Sequence, residues 1–210
     1  MYVIGGTTES NQTVARVYTF DSETQTWSTT TPLPEAVSSP AVIVVGGAVF
    51  VAGGLANSGQ LVNSLYELDT TTQRWRTLPP MQTPRSNAAI AVLDGALYLI
   101  GGAGASGVLN SVERYDIASN HWTSATPLPV PLLNLGAATV GNVIHVFRED
   151  AHYAYSPLND QWIALSSMHF PRHAFGTAVV ADRIFLIGGC DTGLSDSAVT
   201  EVLELNRASS

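Results

Sequence analysis

Short apolar runs alternate with stretches rich in Gly, Asp, Asn, Ser and Pro from one end of the chain to the other, and none of them keeps a 3.6-residue period. The pattern predicts β-strands throughout and no helix. Gly46-Gly47, Asp94-Gly95, Gly141-Asn142 and Ala181-Asp182 each link two apolar runs with the residues a tight hairpin requires. Inner-strand candidates such as Ala88 to Val92, Gly136 to Val140 and Gly176 to Val180 combine small and β-branched residues, as crowded neighbouring sheets demand.

The strands recur as a unit. Glycine pairs stand at 5-6, 53-54, 101-102 and 188-189, and tryptophans at 27, 75, 122 and 162. From each Trp to the next glycine position is 26 residues in all four cases, although the fourth of those positions holds Arg148-Glu149. Six residues before each Trp come Asp21, Asp69, Asp116 and Ser156, each after an apolar residue. Three residues before each glycine position an aromatic column runs Tyr2, Phe50, Tyr98, His145, Phe185, in which His145 reads as a core substitute. Such self-similarity at a fixed period marks a repeat architecture. Each period holds four strands: a before the hairpin, b ending at the glycine pair, c ending at Asp, d carrying Trp.

Composition narrows the function. The chain has 210 residues, 45% of them apolar, enough for a buried core in a single domain, 1–210. Its net charge is −8, and the basic residues are all Arg, scattered singly from Arg16 to Arg207. No basic stripe exists for nucleic acid or an anionic membrane, and without Lys no Schiff base can form. The lone Cys190 excludes an internal disulfide framework and has no evident base partner for nucleophilic work. Apolar runs fall far short of the roughly 20 residues of a membrane helix. The opening Met-Tyr-Val-Ile-Gly-Gly lacks the charged region of a signal peptide, so a soluble protein of unassigned compartment is expected.

Taken together, the glycine doublet, the Tyr-Asp-like pair, the Trp six residues on and the Pro-Arg before the next repeat resemble the Kelch family, and residues 83–102 lie close to its consensus. The resemblance implies an all-β, Kelch-type β-propeller with four-stranded blades set radially about a channel. Five blade positions fall at approximately 1–31, 32–79, 80–127, 128–166 and 167–210. The first lacks strand a and the last lacks strand d, with Asn206 at its Asp position. A piece of a longer propeller, or an open or oligomer-completed ring with blade edges free for homo-oligomerisation, would account for this. The repeated residues take structural roles: glycine for positive φ, Asp to close the c–d turn, Trp to fill the space between blades.

Function is expected where loop length varies, on the b–c and d–a loops. From glycine position to Asp position the intervals are 16, 16, 15, 8 and 18 residues, so the fourth blade is the exception. Its shortened connection reads Arg148-Glu149-Asp150-Ala151-His152, and the neighbouring d–a loop holds His169, Arg172 and His173. Arg85 and Arg172 occupy the Pro-Arg position, where the resemblance implies polar side chains lining a central pocket; each could equally tie loop carbonyls. Expected binding residues are therefore Arg85, Arg148, Glu149, Asp150, His152, His169, Arg172 and His173. Arginines favour carboxylates, which points to an acidic peptide or an anionic sugar. No metal-ligand spacing and no cofactor motif is present. The resemblance implies a non-enzymatic module that presents its loops to a protein or peptide. The alternative is a sugar-directed enzyme like the Kelch-type sialic acid epimerases or copper radical carbohydrate oxidases, whose site residues do not map onto this chain.

Overall fold

The structure, a computed structural model, describes residues 1–193 and 195–204, so the last Asp position, Asn206, lies outside the described residues. It consists of strands and turns, with no helix among the described residues. Contacts divide the chain into two compact units, one of Met1–Asn87 with Ala103–Gly107 and Asn120–Trp122, the other of Ala88–Gly102, Val108–Ser119 and the chain from Thr123 onward.

The first unit opens with an antiparallel sheet of β1 (Tyr2–Ile4), β2 (Val17–Asp21) and β3 (Thr26–Thr29). Next come β4 (Val37–Ser38), β5 (Ala41–Val45), β6 (Ala48–Ala52), β7 (Leu55–Ala56), β8 (Leu65–Asp69) and β9 (Arg74–Leu78). β5, β6, β8 and β9 form a four-stranded sheet in that order, and β4 pairs with β7 beside it. Its core gathers Val17, Val37, Val49, Val51, Tyr66 and Leu68.

β10 (Ala89–Leu93) and β11 (Ala96–Ile100), both in the second unit, begin the third sheet; next along the chain is the short ribbon β12 (Ala103–Gly104) and β13 (Gly107–Val108). β14 (Val112–Asp116) and β15 (His121–Ala125) complete that sheet. The fourth is β16 (Gly136–Val140), β17 (Val143–Arg148), β18 (Ala151–Ser156) and β19 (Gln161–Ala164), paired in chain order. Last come β20 (Arg172–His173), β21 (Gly176–Val180), β22 (Arg183–Ile187), β23 (Cys190–Asp191) and β24 (Thr200–Glu204). β21, β22 and β24 form the fifth sheet and β20 pairs with β23. Five successive sheets, the first and fifth three-stranded among the described residues, are the blades read from the repeat.

The inner strands β10, β16 and β21 lie side by side. That crowding explains Gly136 in β16, where an added Cβ would sit 2.5 Å from the Phe175 ring. Thr177 Oγ1 crosses the same gap to donate to the Ala137 carbonyl at 2.9 Å.

One bond repeats from sheet to sheet and explains the glycine doublet. The second glycine donates its amide to the residue at the Pro-Arg position of the following connection: Gly6 to Val37 O at 2.9 Å, Gly54 to Arg85 O and Gly102 to Leu132 O at 2.8 Å. The first glycine meets the same carbonyl, since a Cβ on Gly53 would lie 2.3 Å from Arg85 O at a φ of +63°. Asp21, Asp69 and Asp116 close the c–d turns by accepting backbone amides two or three residues on.

The tryptophans occupy equivalent outer strands, β3, β9, β15 and β19, but their burial is uneven, which corrects the expectation that Trp fills the space between blades at every position. Trp122 is 7% exposed and Trp27 is 52% exposed. Trp75, Trp122 and Trp162 donate their indole N–H to Thr31 O, Pro79 O and Thr126 O, each at the exit of the preceding sheet. Trp27 stands in the first sheet, packed on Phe20 at 5.1 Å.

Candidate functional site

In the fourth sheet the glycine pair is replaced, and the backbone shows how. β17 runs on through Arg148, and Glu149-Asp150 alone form a tight turn to β18, with Arg148 opposite Ala151. Glu149 takes the left-handed conformation at φ 49°, and its amide donates to Arg172 O at 2.6 Å, the bond its glycine counterparts make. The expected five-residue charged loop is therefore a two-residue turn, because hairpin pairing continues to its last residue.

Arg148 Nη2 donates to Glu149 Oε1 at 2.8 Å, and Nδ1 of the buried His173 lies 3.8 Å from the same oxygen. Asp150 is exposed. β20 follows at Arg172–His173, so Arg148, Glu149 and His173 do come together, linked through the backbone of Arg172.

Arg172 is 1% exposed. Its Nη1 donates to Phe170 O at 3.1 Å and to Glu201 Oε2 at 3.2 Å, its Nη2 to Leu186 O at 2.9 Å, and its guanidinium lies 5.6 Å from the Phe175 ring. Of the two roles open to it, tying loop carbonyls is the one its contacts serve. The Glu201 carboxylate also accepts from the His169 amide at 2.8 Å and lies 3.0 Å from His169 Nδ1. Burial pushes Glu201 up, but the His169 bonds and Arg172 outweigh it and hold the group below the usual carboxylate range. No sequence signal marked Glu201, which reaches Arg172 only because β24 pairs with β22.

His152, expected on the binding face, is instead buried at 4% exposure, turned into the fourth sheet toward His145. Arg85 belongs to the other unit and is 1% exposed; its Nε donates to Thr83 O at 3.4 Å while its carbonyl accepts from Gly54. It serves the loop as Arg172 does.

What the second unit leaves accessible here differs from what the arginines suggested. The His169 side chain is 88% exposed and Phe170 56% exposed, and Asp150 is exposed in the turn between β17 and β18. Phe170, Pro171, Arg172, Asp191, Asp196 and Ser197 border a cleft of about 390 Å³. Cys190 lies beside it, its Sγ 4.0 Å from Asp196 Oδ1. Among the described residues no three His, Cys, Asp or Glu side chains are placed to hold a metal ion, and no helix is long and apolar enough to cross a membrane.

Comparison with known proteins places these features in context. The family model described as the KLHDC2/KLHL20/DRC7 Kelch-repeats domain matches residues 1–189. The human Kelch repeat and BTB domain-containing protein 2 is 35% identical over 85 residues, 40% of this chain and 14% of that protein. Human Kelch repeat and BTB domain-containing protein 12 is 29% identical over 98 residues, 39% of this chain and 16% of its own length. Mouse Kelch-like protein 28 is 40% identical over 45 residues, 21% of this chain and 8% of its own. The chain thus matches only a small part of the length of these relatives. Among solved structures, the one titled "Structure of YjhT" superposes with a TM-score of 0.88 at 14% identity, over 99% of this chain and 79% of that one, which shows a common fold.

Proposed function

Because this chain belongs to the Kelch-repeat family, with a Kelch-type propeller fold, we propose that it is a binding module that holds a protein or peptide partner on the b–c and d–a loops of its fourth and fifth blades. The observation that supports this most is the way His169 and Phe170 are displayed. Both are exposed, yet their segment is fastened at its end by the buried Arg172, bonded to two carbonyls and to Glu201. A contact surface already held in place loses little entropy on binding. An aromatic ring and an imidazole beside an acidic cleft suit a peptide with an apolar residue next to a polar or basic one. The acidic peptide and the anionic sugar lose support, since both Arg85 and Arg172 spend their guanidiniums inside the protein. The named relatives are Kelch-repeat proteins, which supports the same reading.

The test is selection of binders from a displayed random-peptide library, followed by calorimetry on the enriched sequences. Phe170→Ser with Asp150→Arg should weaken binding at least about tenfold, as loss of a contact aromatic does. Asp94→Arg, on the hairpin turn at the other end of the strands, should leave it unchanged. Equal losses from both would remove the reason for choosing this face.

A further inference from the structure

Behind this loop face the fourth sheet buries two imidazoles that binding does not use. His145 on β17 and His152 on β18 are 5% and 4% exposed, and Nδ1 of the first lies 3.0 Å from Nε2 of the second. The other nitrogen of His152, Nδ1, lies 2.9 Å from the Ser166 carbonyl. A carbonyl only accepts, so His152 Nδ1 carries the hydrogen. Its Nε2 in the neutral ring is then bare and accepts from His145 Nδ1. The bonds run in one direction, from His145 to His152 to Ser166. Phe147 covers them, its ring stacked 4.3 Å from His152, and it packs into an apolar cluster with Met168, Phe175 and Leu186.

Ser166 lies at the start of the segment that leads from β19 to β20 and carries His169, Phe170, Arg172 and His173. Residue 152 grips that start twice, since the Leu165 amide donates to the His152 carbonyl at 2.8 Å. We propose that His145 and His152 form an acid-sensitive latch: neutral, they fasten the Ser166–His173 segment to the fourth sheet, and protonated, they release it. This rests on the reading that the segment is part of the binding face.

A proton on His152 Nε2 removes the acceptor that His145 Nδ1 uses at 3.0 Å, and a proton on His145 places a buried cation beside the Phe147 ring. Among the described residues no carboxylate contacts either ring, and Asp150, at the tip of the β17–β18 turn, is exposed to solvent. On the β17–β18 hairpin Glu149 is paired with Arg148; on the segment and β20 the ionisable groups are His169, Arg172 and His173; on β24 Glu201 is held by Arg172 and His169. β16 sets Ala138, and β18 Ala154, opposite His145. Burial, then the neighbouring His152, lowers His145 to about 4, and burial lowers His152 despite the Ser166 carbonyl. An unfolded imidazole takes its proton near 6.5, so the latch holds above that pH and weakens as pH falls toward about 4.

The experiment is hydrogen exchange, corrected for intrinsic rates, on the whole chain between about pH 7.5 and pH 4. Protection of the amides at 166–170 should fall at least about tenfold relative to the β10–β11 hairpin. His145→Phe, the residue found at this column in the second and fifth sheets, should reduce that loss to less than about threefold. His152→Leu should show the low protection already at about pH 7.5. If wild type and His145→Phe lose protection equally, or wild type loses none, the latch is overturned. Should a variant fail to fold, imidazole NMR of wild type decides, because titration of either ring above about pH 6 also overturns it. Peptide binding measured alongside at about pH 7.5 separates the two readings: binding with an unresponsive segment refutes only the latch, and a responsive segment without binding refutes only the binding face.

Discussion

The Glu149 amide and the Arg172 carbonyl, 2.6 Å apart, reproduce in the fourth sheet the bond that Gly6, Gly54 and Gly102 make to Val37, Arg85 and Leu132 in the first three. A Glu in the left-handed region is strained where a Gly is not, so Glu149→Gly should relieve roughly 0.5–1 kcal/mol of backbone cost. Against it stand the partly exposed pair with Arg148, worth about 0–1 kcal/mol, and the longer approach of His173 Nδ1 to the same oxygen. Urea denaturation should find Glu149→Gly between neutral and slightly more stable. Glu149→Val, β-branched at φ 49°, should be clearly worse. A large loss from the glycine variant would mean that the Glu149 side chain matters more than its backbone.

Arg172 and Glu201 form a buried pair, with side-chain exposures of 1% and 13%. Glu201→Gln leaves the guanidinium buried without its carboxylate and should cost about 3–5 kcal/mol. Arg172→Met combined with Glu201→Leu should recover most of that loss. If the double variant is no better than the single, the carbonyls at Phe170 and Leu186, not the charge, set the cost.

Trp122→Ala should destabilise by about 3–5 kcal/mol, the range for a buried aromatic. Trp27→Ala, at a half-exposed side chain, should cost under about 1 kcal/mol. Trp75 and Trp162 should fall between. Thermal melts that ranked all four alike would contradict the uneven burial.

Gly136→Ala drives a methyl to 2.5 Å from the Phe175 ring and 2.6 Å from Thr177 Cγ2, whereas on Gly176 the nearest atom would be 3.8 Å away. Gly136→Ala should cost about 1–3 kcal/mol, the usual penalty of overpacking, and Gly176→Ala little. Equal melting temperatures for the two would show that β16 and β21 can part freely.

Strands, hairpins and blades were legible because each depends on neighbours a few residues apart, repeated along the chain. Asp69 closes its turn onto Thr71 and Thr72, and Asp94-Gly95 turns β10 into β11, whatever surrounds them. The break in the repeat beside the Ser166–His173 loop was legible too, through the missing glycine pair at Arg148-Glu149.

Which side chains that loop displays was decided by the tertiary structure. Arg172 and Glu201 are 29 residues apart, and His145 and His152 meet only because the shortened turn brings β17 and β18 into register. The composition of a loop names its charges, but burial turns on what packs behind them. Two arginines that read as ligands for an acidic partner lie inside the protein, where their donors meet carbonyls that a folded backbone alone could set in place.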